Sequence, residues 1–261
     1  MKRPETAKIR NIALVAHGSA GKTTLTEAML YSAGATTRLG RVEDGTTTTD
    51  FDEDEIRRKI SIGIALAWAE WKGHKLNLVD TPGFAAFLAD ARNALRVVDG
   101  AVVVVGAVDG VKVQTEKVWS TAAALELPCA VYVSKMDRER ADFSQALESI
   151  KGRLKAKTTP IFLPIGKEDQ FQGLVDLVQM KALLFEGDKG AVKTADIPAE
   201  LQEEAKSYRE TMVEDIAESD EALMEKYLDV GTLTPEELKE GLRKGVCSGS
   251  IIPVICGSAL K

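Results

Sequence analysis

Near the N-terminus an apolar run breaks into small residues and then resumes with helical spacing. Ile9-Arg10-Asn11-Ile12-Ala13-Leu14-Val15-Ala16 reads as a buried strand, Gly18 to Gly21 as a tight loop, and Lys22 to Ser32 as a helix with Leu25, Ala28, Met29 and Leu30 apolar. The segment Ala16-His17-Gly18-Ser19-Ala20-Gly21-Lys22-Thr23 fits the Walker A pattern with Ala at the first Gly position. Small residues let backbone N–H groups close around phosphate oxygens, and a helix N-terminus favours negative charge. His17, Gly18, Ser19, Ala20, Gly21, Lys22, Thr23 and Thr24 are therefore candidate phosphate-binding residues. Lys22 is placed to reach the β- and γ-phosphates, and the Thr23 hydroxyl to ligate Mg²⁺. His17 is expected to supply backbone shape, not proton transfer.

The rest of the chain supplies the context this loop needs. Ser61 to Trp71 and Lys75 to Asp80 are β-like runs joined at Lys72-Gly73-His74, which predicts an antiparallel hairpin. Ala101 to Val105 and Cys129 to Ser134 read as buried strands, with helical patterns at Val113 to Leu125 and Ala141 to Leu154. Ile251 to Ile255 is a late strand. Strands alternating with helices predict an α/β fold with a mostly parallel central sheet flanked by helices. The polar stretch from Thr36 to Lys59 is expected to be a long functional loop.

Two further groups of candidates end predicted strands. In Asp80-Thr81-Pro82-Gly83, Asp80 is placed to hold Mg²⁺ through water and the Gly83 N–H to contact a γ-phosphate. In Ser134-Lys135-Met136-Asp137, the Asp137 carboxylate can accept from the N1–H and N2–H₂ of guanine. Adenine lacks that donor pair, and a site built this way discriminates by roughly 10⁴ or more. The Lys135 stem would pack on the base, and the backbone at Ser258, Ala259 and Leu260 can contact the guanine O6. Ligands of open α/β sheets sit at such C-terminal strand ends. A P-loop small-molecule kinase is the rival, and the base-reading motif argues against it.

The net charge of −6 disfavours a simple basic nucleic-acid binder. Cys129, Cys247 and Cys256 form no CxxC pair and read as reduced thiols, which fits a cytoplasmic protein. No apolar run is long enough to span a membrane. Charge is unevenly placed: 161–250 carries 20 acidic and 10 basic residues. That shift predicts a separate acidic unit. Within it, Pro198 to Ala217 reads as an amphipathic helix, 219–229 as a shorter helix capped by Ser219, and Thr234-Pro235-Glu236-Glu237 as a capping box.

These segments resemble the GTP-binding region of elongation factor G, a ribosomal translocase. The likeness is carried by Arg10-Asn11-Ile12 through Thr24, Trp71-Lys72-Gly73-His74, Asp80 to Gly83, Leu95 to Ala101, Lys135 to Arg138 and Cys256 to Ala259. In the acidic unit, Gly173 to Leu177 and Leu223 to Leu228 carry it. The resemblance implies a P-loop GTPase domain at 1–158, an inserted acidic α+β subdomain at 159–250, and the last strand and base-binding motif at 251–261. It implies GTP or GDP with Mg²⁺ as ligands, and a monomer without sequence-specific nucleic-acid binding. In a longer protein, it implies the large ribosomal subunit and its stalk proteins as partners. It also implies that the chain is a fragment ending within its base motif.

The departures cluster at the phosphate end. Ser134 stands where the family carries Asn, and its shorter side chain is expected to bridge base and phosphate loop less well. Ser19 replaces an Asp, and Gly18 a bulky apolar residue. Ser61, in Arg58-Lys59-Ile60-Ser61-Ile62, keeps a hydroxyl for Mg²⁺. Phe84 replaces the His that positions the attacking water in the family. A positioned catalytic side chain contributes about 10²–10⁴-fold, so hydrolysis is expected to be slow, with Lys22, Ser61, Gly83 and position 84 as the catalytic set. The alternative is a GTP-dependent ribosome-binding switch with negligible hydrolysis.

Overall fold

The computed structural model describes residues 4–187 and 191–261. The N-terminal apolar run becomes β1 (Ile9–Val15), and the helical pattern behind the small-residue loop becomes α1 (Lys22–Ser32). The hairpin pairs β2 (Ala65–Trp71) with β3 (His74–Asp80) in antiparallel register. Its turn residues Lys72 and Gly73 have φ of 46° and 77°. Positive φ at both positions gives a two-residue turn whose twist matches its strands. β2 begins at Ala65, later than the predicted Ser61. The Ile62 and Gly63 N–H groups donate to the Glu55 carboxylate at 2.8 and 3.1 Å instead of joining a ladder.

The remaining strands of the main sheet are β4 (Gly100–Gly106), β5 (Cys129–Ser134), β6 (Thr158–Pro160) and β11 (Ile252–Cys256). Their order is β2-β3-β1-β4-β5-β11-β6. All pairings except β2–β3 are parallel. β1 lies between β3 and β4, so the chain leaves it toward both sides. That reversal opens a crevice at the carboxyl ends of the strands.

Helices cover both faces because alternate strand residues point oppositely. Val104, Leu14 and Leu78 pack with Leu25 and Leu30 of α1. On the other face Val103, Val105, Val131 and Val133 pack with α4 (Val113–Ala124) and α5 (Phe143–Leu154). Trp119 of α4 is buried there and donates from Nε1 to the Leu154 carbonyl at 3.0 Å. A short α3 (Leu88–Ala94) follows the β3 turn.

The polar stretch read as a loop contains a helix, α2 (Glu53–Arg58). It is started by a capping box in which Asp52 accepts from the Asp54 N–H at 2.8 Å and Glu55 accepts from the Asp52 N–H at 3.3 Å. The acidic unit combines strands with helices, as the expected α+β subdomain would. It carries a four-stranded antiparallel sheet of order β10-β9-β8-β7, formed by β7 (Phe162–Ile165), β8 (Gly173–Asp176), β9 (Lys181–Glu186) and β10 (Ala191–Ala195).

Its helices are α6 (Gln202–Ala217), α7 (Glu221–Val230) and α8 (Pro235–Ser248). Thr234 and Glu237 form the expected box at the start of α8. α7 is capped by Asp220, not Ser219, because the Ser219 hydroxyl turns back to donate to the Ile216 carbonyl at 2.7 Å. Among the described residues, no helix is long and apolar enough to cross a membrane.

Candidate functional site

A cavity of about 480 Å³ opens at the carboxyl ends of β1, β3, β5 and β11. The loop before α1 contributes Gly18, Ser19, Gly21, Lys22, Thr23 and Thr24 to its wall. Gly83 and Phe84 follow β3, Ser134, Lys135 and Asp137 end β5, and Ser258, Ala259 and Leu260 follow β11. Ser61 completes the rim. Five distant segments thus meet around one space of the size that holds a small ligand. His17, Ala20 and Asp80 lie behind the wall instead, all buried.

The phosphate loop is shaped by backbone constraints. Gly21 has φ of 99°, a conformation that suits glycine, and it directly precedes α1. The Ser134 hydroxyl donates to the Ala20 carbonyl at 2.6 Å. The shorter side chain therefore reaches the phosphate-loop side of the expected bridge. Lys135 donates to the Ser19 carbonyl at 2.5 Å, so the base motif is tied to the loop twice. Behind the loop, His17 Nδ1 lies 3.2 Å from the Thr115 hydroxyl. Burial lowers the His17 ring to about 4, with Lys22 adding to the effect and Asp109 opposing it. The imidazole is neutral at pH 7 and holds the loop to α4.

Gly83 has no room for a side chain. A Cβ there would lie 2.5 Å from the His17 carbonyl oxygen and would also collide with the Lys22 amine. The backbone after β3 therefore runs directly against the phosphate loop.

The charges are concentrated under this junction. Lys22 is buried and donates to the His17 carbonyl at 3.2 Å. Burial lowers its amine to about 8, opposed by Asp80 and Asp50. Asp80 is raised to about 6 by burial, opposed first by Lys22 and then by the nearby hydroxyls of Thr23 and Thr49. Its Oδ2 accepts from the Thr49 hydroxyl at 2.9 Å, while its Oδ1 is buried with no partner. Asp50 is also raised by burial, opposed by the nearby Ser61 hydroxyl. The Thr23 and Ser61 hydroxyl oxygens are 3.0 Å apart. A buried carboxylate oxygen without a partner is costly, and an oxygen-rich corner of this kind suits a hard divalent cation. No cluster of three or more His, Cys, Asp or Glu able to hold a metal occurs among the described residues. A cation here would rely on hydroxyls and on oxygens of a bound ligand.

The cavity has a second wall, built from the polar stretch expected to be a functional loop, although none of its residues before Ser61 was singled out. Arg41, Val42, Glu43 and Asp44 line it, as do Asp50, Lys59 and Ile60. This wall is folded back by Glu27 of α1, which is buried and accepts from the Gly40 N–H at 3.2 Å and the Thr48 N–H at 2.5 Å. Glu55 fixes the other end through Ile62 and Gly63. Tyr132 and Arg138 are further lining residues outside the predicted set. Asp52 and Glu55 had a legible box spacing. The role of Glu27 had no local signal.

A sequence model of the elongation factor Tu GTP-binding domain matches residues 7–261. The crystal structure of a protein from Thermus thermophilus aligns with a TM-score of 0.90, at 38% identity and over 97% of this chain. The chain spans 38% of that protein's length.

Proposed function

Because the chain belongs to the family of elongation factor Tu GTP-binding domains, we propose that it is the nucleotide-binding part of an elongation factor G-like translational GTPase. It binds GTP and GDP with Mg²⁺ and hydrolyses GTP slowly to drive a ribosome-associated switch. The observation that carries this reading is the convergence of Lys22, Asp137 and the Ser258–Leu260 backbone on one cavity. A phosphate cradle and a guanine-reading carboxylate then face the same ligand.

In this reading Lys22 and the loop N–H groups hold the β- and γ-phosphates, and Asp137 holds the base. The Gly83 N–H faces the γ-phosphate, where water attacks in line. Thr23 and Ser61 would hold Mg²⁺, with Asp80 behind them through water; the unpartnered Asp80 Oδ1 favours that assignment. When bound there, the cation neutralises charge developing on the phosphates. Glu27 and Glu55 keep the Arg41–Ile60 wall over the site, and release of that wall after loss of the γ-phosphate is the switch.

Phe84 supports slow chemistry, since its ring offers no group to orient water. The second reading, a ribosome-binding regulatory switch with negligible hydrolysis, rests on the same residue. Single-turnover GTP hydrolysis with and without ribosomes tests both. We expect a low intrinsic rate with measurable ribosomal stimulation. No turnover after prolonged incubation would select the second reading. A rate equal to that of an ordinary elongation factor G would reject the proposed slow chemistry.

A further inference from the structure

We propose that Gly18 is a seat for the Phe84 ring, and that the seated ring is an apolar cap that slows hydrolysis by keeping water from the phosphate end of the cavity. This rests on the GTPase reading above and adds a physical cause to its slow rate.

The first support is that Gly18 has no backbone reason to be glycine. Its φ lies outside the left-handed region, unlike that of Gly21 at 99°. A residue with a side chain could adopt its conformation without strain. What excludes a side chain is the ring. A Cβ at position 18 would lie 2.9 Å from Phe84 Cε2, 2.9 Å from Cζ and 3.1 Å from Cδ2. Carbon atoms in contact prefer about 3.5–4.0 Å, and a ring edge cannot bend away as a flexible chain end does. So the missing methyl at 18 is the space the ring occupies.

The second support is that the backbone is held on both sides of Phe84. Gly83 is wedged against Lys22 and His17, which fixes the chain just before Phe84. Just after it, the Phe84 carbonyl accepts from the Phe87 N–H at 3.0 Å in a one-turn helix. Phe84 is 39% exposed and borders the cavity together with Gly18, Ser19 and Lys22. One edge of the ring is therefore packed on the phosphate loop while the rest remains open to the cavity.

The cap and the mere absence of a catalytic His make opposite predictions. If Phe84 only lacks a polar group, removing the ring changes nothing. If it excludes water, removing the ring speeds intrinsic hydrolysis. Single-turnover hydrolysis without ribosomes, with GDP affinity measured alongside, separates them in the full chain and its Phe84→Ala, Gly18→Ala and doubly substituted forms. We expect Phe84→Ala to raise the rate about tenfold with GDP affinity retained. Gly18→Ala should also raise it, by unseating the ring, and the double substitution should match Phe84→Ala alone.

A Phe84→Ala rate at or below the parent's, with GDP still bound, overturns the proposal. So do gains that multiply in the double form. If Phe84→Ala fails to bind GDP, the Gly18→Ala rate decides, and no increase there overturns the cap. A parent chain that binds no guanine nucleotide refutes the GTPase reading itself, which is a separate result.

Discussion

His17 shows how a residue of the loop before α1 can matter from behind the cavity wall. Its ring is buried against Thr115 and its carbonyl receives the Lys22 amine. Because burial holds the ring near 4, against an ordinary value of 6.5, the folded chain refuses a proton that the unfolded chain accepts between those values. Stability from this residue is fully present above pH 6.5 and is lost as pH falls toward 4. Relative to His17→Gln, the parent should lose about 1 kcal/mol per pH unit below about pH 6. Urea denaturation of both proteins across that range checks it, and a pH-independent difference would show that the ring is protonated in the fold. Ser134 gives the opposite lesson about reading by residue type. A short side chain at the end of β5 was expected to bridge base and loop less well, yet on the loop side its hydroxyl lies 2.6 Å from the Ala20 carbonyl. Side-chain length is legible in sequence, whereas strand-to-loop distance is not.

At the scale of elements, the wall over the cavity depends on two buried carboxylates. Glu27 accepts from the Gly40 and Thr48 N–H groups, and hydrogen bonds to charged groups are the stronger kind. Glu27→Ala should therefore speed amide exchange at Gly40 and Thr48 by about tenfold or more, while amides in β4 and β5 keep their protection. Hydrogen exchange measured by NMR checks this, and unchanged exchange at both positions would mean that the wall is held by other contacts.

The same elements show what sequence can reveal. The strands and helices around the phosphate loop were legible because their apolar spacing is uninterrupted. α2 was hidden in a polar stretch, although Asp52 and Glu55 have the spacing of its capping box. The small antiparallel sheet came only through the α+β subdomain that the resemblance implied, because its residues give little strand signal of their own. Its strands β7 and β8 are only four residues long, β7 contains Pro164, and Gly166 and Gly173 flank the turn between them. The cavity residues Arg41 to Asp44 had no signal of their own, since a tertiary contact to Glu27 brings that part of the chain back.

At the scale of the whole molecule, the acidic unit and the main sheet share one apolar core. Val254 of β11, Ile216 of α6 and Leu238 of α8 belong to the same buried cluster. Asp215 of α6 accepts from the Thr159 hydroxyl at 2.6 Å and pairs with Lys157 at 3.0 Å. The acidic unit thus packs onto the far edge of the main sheet, while the cavity lies at the chain reversal around β1. β11 serves both regions, because the residues after it, Ser258 to Leu260, form part of the cavity wall.

The central claim is that these converging segments bind one guanine nucleotide, read by Asp137. Isothermal titration of the chain with GDP and with ADP, repeated for Asp137→Ala, tests it most directly. The account predicts one GDP per chain, ADP weaker by about 10² or more, and loss of that preference in Asp137→Ala. Equal affinity for GDP and ADP in the parent, or no heat with GDP, would contradict it.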